Sequence, residues 1–131
     1  MFIPGEAGES TSYWEHEWAA VDAVAVAEDH LRRPGPTMRI LNRYVPDRGR
    51  VLEVGCGPTT YGAALRSAGR HVVGIDRTPD ALATAGARFP DIGFVRGDIR
   101  AMPFGDGSFD CVFSIGVVEH LQTGPVPSLA E

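Results

Sequence analysis

The stretch from Val51 to Gly62, VLEVGCGPTTYG, decides the fold: a short apolar run ends at Gly55, Cys56 and Gly57, and a segment suited to a helix follows. A run this short and nearly continuous in Val and Leu reads as a strand buried on both faces, the kind that parallel sheets contain. Glycines at the turn leave the backbone bare, so a ligand can approach it closely. In an open α/β sheet, ligands lie in the crevice beyond the carboxyl ends of the strands. Two glycines are a weak signal alone, and the rest of the chain supplies the context.

Toward the C-terminus, Tyr61 to Ala68 reads as a helix closed by Gly69, and HVVGI at 71–75 as a second strand. Thr78 as N-cap and Pro79 at the first helical position open a helix over 79–88. IGFV at 92–95 is a third strand, and FDCVFSI at 109–115 a fourth, reached through a connection rich in proline and glycine rather than through a helix. Strands alternating with helices predict an α/β fold, a Rossmann-like, doubly wound and mostly parallel sheet. Toward the N-terminus, residues 1–11 read as a loose leader, and Ser12 with Glu15 has capping-box spacing. The helix they open is expected to run to about Arg32, with Trp14, Trp18, Val21 and Ala25 on one stripe. Pro34, Gly35 and Pro36 end it, and Met38 to Tyr44 predicts a shorter helix. The chain therefore divides into a leader with helices over 1–49 and a ligand-binding unit over 50–131.

Asp76 ends the second strand roughly 20 residues after the glycine turn, where an acid can accept hydrogen bonds from both ribose hydroxyls of an adenosine. Asp98 follows the third strand, so Glu53, Asp76 and Asp98 are expected on one rim. Each has a plainer reading as the cap of a turn or of the next helix. A dinucleotide fingerprint, GxGxxG, would need glycine at position 60, where Thr60 stands. Acidic Glu53 before the turn suits a positive group better than a pyrophosphate. The implied ligand carries adenosine at one end and a positive group at the other.

The 131 residues are 44% hydrophobic and 22% charged, average for a soluble chain with one core. A net charge of −5 argues against a broad phosphate-binding face, so nucleic acid is not expected as a partner. The opening MFIPGEAGES lacks the basic and apolar regions of a signal peptide, and no run approaches the roughly 20 apolar residues of a membrane span. A cytoplasmic protein without membrane contact is expected. Cys56 and Cys111 read as free, buried thiols; His16, His30 and His71 are scattered, so no metal is expected.

These residues resemble the class I S-adenosylmethionine-dependent methyltransferases, in particular the small-molecule enzymes with an E-x-G-x-G-x-G first motif. The resemblance covers about residues 50–122. Glu53, Gly55 and Gly57 match the first motif, with Thr59 in place of its third glycine. Asp76 in GID matches the ribose-binding acid, and Asp98 with Ile99 in GDIRAMPF matches the adenine-binding pair. FDCVFSIGVVEHL is similar to the family's fourth strand and the segment after it. The resemblance implies S-adenosylmethionine as cofactor, held by Glu53, Gly55, Cys56, Gly57, Asp76, Arg77, Asp98, Ile99 and Ser114, and a small-molecule methyl acceptor. It also implies strand order 3-2-1-4, with further strands beyond the fourth that this sequence lacks. Ser128 and Glu131 announce a helix that is not there, so a truncated domain is expected, its fourth strand exposed and able to pair with another copy.

Methyl transfer from a sulfonium asks the protein mainly for alignment. His120 is the candidate base, although His120 and Glu119 can equally line a turn. Trp14 and Trp18 either close over the ligand or pack the leading helix. Two other functions share these features: a nicotinamide- or flavin-binding oxidoreductase, and a noncatalytic fragment that acts only in assembly.

Overall fold

The computed structural model describes residues 18–117. In chain order these form α1 (Ala23–Arg32), α2 (Pro36–Tyr44), β1 (Arg50–Val54), α3 (Thr60–Ser67), β2 (His71–Asp76), α4 (Pro79–Arg88), β3 (Gly93–Arg96) and β4 (Cys111–Ser114). The four strands make one sheet in the order β3-β2-β1-β4, and every pairing is parallel. Fold class and strand order are those the sequence led us to expect.

Side chains alternate across β1, and the two faces bury different partners. Val51 joins Leu65, Ala63, Ala64, Val72, Met38 and Leu41 on the face covered by α1, α2 and α3. Leu52 and Val54 join Ile75 on the other face, against Ile99, Met102, Phe104 and Phe109. Those last four belong to the connection between β3 and β4, which covers the sheet without a helix. Phe104 and Phe109 meet edge to face, ring centroids 5.0 Å apart. On the first face, His30 of α1 stacks on Tyr61 of α3 at 4.3 Å. At the amino ends of the strands, buried Arg70 donates to the Val45 carbonyl at 3.2 Å and pairs with Asp47 at 3.4 Å, tying the end of α2 to the start of β2.

The long leading helix is a correction. Trp18 and Ala19 form part of a helical turn, and α1 starts anew at Ala23. The cause is Asp22, whose carboxylate accepts from the Ala25 amide at 3.1 Å and so caps a new helix. Smaller differences fall at element ends: α2 begins at Pro36, its ring already set for the first helical position, β3 lies one residue later than expected, and β4 is shorter. Ser12, Trp14, Glu15, His16, Glu119, His120, Ser128 and Glu131 lie outside the described residues. Among the described residues, no helix is long and apolar enough to cross a membrane, and no three His, Cys, Asp or Glu side chains gather as a metal site.

Candidate functional site

The site is built where β1 and β2 end. The amides of Gly55 and Cys56 both donate to the Ile75 carbonyl, at 2.8 and 3.1 Å, which bends the chain sharply after β1. Gly55 and Gly57 have φ of 65° and 47°, in the left-handed region that side chains disfavour. A Cβ at Gly55 would also run into Val117, and one at Gly57 would come within 2.8 Å of the Trp18 indole.

Asp76 ties this turn to the end of β2. Its carboxylate accepts from the Gly57 amide at 3.0 Å and from the Thr78 amide at 2.9 Å, and the residue is only 6% exposed. An ionised carboxylate offers about four lone-pair sites, so two remain for a ligand. Glu53 points to the α3 face of the sheet. There it accepts from the Thr59 hydroxyl at 2.6 Å and the Gly62 amide at 3.2 Å. Burial raises its carboxyl to about 7, against the opposing pull of the Thr59 and Gly62 bonds, and the nearby Asp76 charge adds to the rise.

Cys56 is buried between these acids, its sulfur so close over Gly74 that a Cβ there would lie 2.7 Å away. Burial, and then the charges of Glu53 and Asp76, push its thiol far above the ordinary range, so it stays protonated and unreactive. Asp98 lies beyond β3 and is half exposed; the Arg100 guanidinium, 2.6 Å away, holds its carboxyl down at about 2. The Gly97 amide donates to the Asp76 carbonyl at 3.0 Å, which keeps this rim beside the glycine turn. Ile99 packs into the core of the second face, and Arg77 is exposed. Ser114 stands opposite Val54 at the end of β4, its Oγ buried with no hydrogen-bond partner among the described residues.

The structure thus gathers Glu53, Gly55, Cys56, Gly57 and Asp76 into one connected turn, with Asp98 and Ser114 at neighbouring strand ends and Ile99 beneath the rim. In the sequence Gly62 has no legible role and Thr59 reads only as a departure from a motif. A glycine inside a helix costs about 1 kcal/mol relative to alanine, and that cost was the available signal for Gly62. Trp18 sits over the turn and, with Pro58, Ala81, Thr84 and Ala85, lines a groove beside α4, where Arg88 donates to the Val21 carbonyl at 3.2 Å. Val117 and Trp18 pack against the backbone of Gly55 and Gly57, and beside them the Asp76 carboxylate and the Ser114 hydroxyl, which has no hydrogen-bond partner among the described residues, suit the hydroxyls of an adenosyl ligand.

Residues 51–131 match the family model described as a methyltransferase domain. The chain is 36% identical over 105 residues to an uncharacterized methyltransferase of Mycolicibacterium gilvum, a match covering 78% of this chain and 38% of that protein. It is 40% identical over 65 residues to a malonyl-[acyl-carrier protein] O-methyltransferase of Erwinia billingiae, covering 50% of this chain and 26% of that one. The chain therefore spans well under half the length of these curated relatives. Among solved structures, a TehB-like SAM-dependent methyltransferase of Corynebacterium glutamicum superimposes with a TM-score of 0.67 at 25% identity, over 92% of this chain and 63% of that one. With the family match covering more than half of its length and the sheet in the order 3-2-1-4, the chain belongs to the class I S-adenosylmethionine-dependent methyltransferase family.

Proposed function

We propose that this chain supplies the cofactor-binding part of an enzyme that moves a methyl group from S-adenosylmethionine to a small-molecule acceptor in the cytoplasm. The observation that carries the reading is Asp76, a buried carboxylate that joins the glycine turn to the end of β2, one oxygen accepting from the Gly57 amide and the other from the Thr78 amide. When bound, the cofactor supplies a methyl group already activated by its sulfonium. Asp76 would accept from the ribose hydroxyls, Asp98 and Ile99 would flank the adenine, and the backbone from Gly55 to Gly57 would line the methionine part. Arg77 and the Ser114 hydroxyl complete the set. Trp18, packed on Gly57, keeps water from that side of the turn. The protein's contribution to rate is then mainly orientation. His120 comes after this set in the sequence and is the candidate to accept a proton from the acceptor.

The test is calorimetric titration of the folded chain with S-adenosylmethionine and, separately, with a reduced nicotinamide cofactor. Saturable binding of the first alone is expected, and Asp76→Ala should weaken it about 10- to 150-fold, the loss of charge-assisted hydrogen bonds of roughly 1.5–3 kcal/mol. Unchanged affinity in Asp76→Ala would overturn the placement, and preference for the dinucleotide would replace the reading with an oxidoreductase.

A further inference from the structure

Thr59 occupies a position that its chemistry does not favour. It is fully buried and lies in the left-handed region, at φ 55° and ψ 39°, which β-branched residues rarely adopt. It stands at the N-cap of α3, yet its side chain makes no capping bond to the helix. The hydroxyl instead donates to Glu53 at 2.6 Å, and the same Glu53 oxygen accepts from the Gly62 amide at 3.2 Å. The Glu53 carboxyl from β1 thus does the capping at the amino end of α3 that Thr59 would otherwise do. The backbone of Thr59 is equally engaged: its amide donates to the Cys56 carbonyl at 2.7 Å, and its carbonyl accepts from Ala63 at 2.8 Å. One residue therefore connects the glycine turn, the strand before it and the helix after it.

We infer that Thr59 is a positioning residue: its hydroxyl fixes the Glu53 carboxylate against the first turn of α3 and so holds the glycine turn in the shape that admits the adenosyl cofactor. The inference rests on the reading of that turn as the cofactor site. The groups facing Glu53 leave this work to Thr59 and Gly62. From β2 comes Asp76, a like charge; from the turn comes Cys56, a neutral thiol; from β4 comes Phe113, in register with Glu53. None of them donates a hydrogen bond to the carboxylate among the described residues. Gly62 is required for the same arrangement, because a Cβ there would collide with both the Glu53 carboxylate and the Thr59 hydroxyl.

The experiment follows the Glu53 carboxyl by carbon NMR against pH in the whole chain, assigned with Glu53→Gln, alongside calorimetry with S-adenosylmethionine. Thr59→Val removes the donor at similar shape, Thr59→Gly removes it and suits the left-handed backbone, and Thr59→Ser keeps the donor. The Glu53 midpoint should rise by about one to two pH units in Thr59→Val and Thr59→Gly and return in Thr59→Ser. Affinity at neutral pH should fall roughly tenfold in the first two and recover as pH passes the new midpoint. Thr59→Gly keeps the comparison open if Thr59→Val fails to fold. A wild-type chain that binds, with variants that leave midpoint and affinity unchanged, overturns the inference alone. A binding loss equal in Thr59→Ser and Thr59→Val, or independent of pH, overturns it too. A folded wild-type chain that binds nothing overturns the cofactor reading and the positioning role with it.

Discussion

Glu53 and Asp98 are both carboxyls near the carboxyl ends of strands, and their surroundings move them in opposite directions. Burial raises Glu53 to about 7, whereas Arg100 holds Asp98 down at about 2. Between about pH 4.5 and 7 the folded chain keeps a proton on Glu53 that the unfolded chain releases, so this group's contribution is present in full below the unfolded value and is lost as pH rises through 7. The size is on the order of 3 kcal/mol. Asp98 contributes above its ordinary range and loses that contribution as pH falls toward 2, but its pair with Arg100 is half exposed and is worth at most about 1 kcal/mol. Thermal unfolding followed from about pH 5 to 8 should therefore show a stability loss in wild type that Glu53→Gln largely removes, since glutamine can accept the same two bonds without a charge. A Glu53→Gln profile parallel to wild type would mean that the buried acid does not titrate there.

Helix α3 shows how an element can depend on a side chain from another. Its interior glycine, Gly62, is unfavourable by propensity, and Gly62→Ala should by that measure add about 1 kcal/mol. The Glu53 carboxylate and Thr59 hydroxyl already occupy the space, and overpacking of that kind costs about 1–3 kcal/mol. Gly86 in α4 is the control, because a Cβ there would meet only Phe94, at an ordinary 3.7 Å. We expect Gly62→Ala to lower the unfolding temperature and Gly86→Ala to raise it; two shifts of the same sign would refute the steric account. The contrast also marks what the sequence could reveal. Pro79 marked the start of α4, although Thr78 before it makes no side-chain capping bond, and β1 and β2 came within a residue, because proline and apolar runs are local signals. The glycine turn and Asp76 were legible through spacing. The break before α1 was not, since Trp18, Val21 and Ala25 keep helical spacing across it while Asp22 starts a new helix. Nor was the Glu53 partnership, which needs a left-handed Thr59 and the face of β1 on which Glu53 lies.

For the molecule as a whole, the exposed side of the sheet is the main liability. Among the described residues β4 has one strand neighbour, β1, and Val112 and Ile115 are 53% and 43% exposed. Ile99, Met102, Phe104 and Phe109 cover the second face around Leu52, Val54 and Ile75, but leave Val112 open. An edge strand with apolar side chains pairs readily with another strand. We propose that copies of this chain associate through β4, which sedimentation velocity over a range of concentrations would test. Val112→Lys should weaken the association by placing a charge on that edge. The direction is informative because the chain carries a net charge of −5, and an added lysine reduces the general repulsion between copies. If net charge controlled association, Val112→Lys would strengthen it; if the β4 edge does, the same substitution weakens it. A chain that stays monomeric at every concentration would remove β4 as an assembly surface.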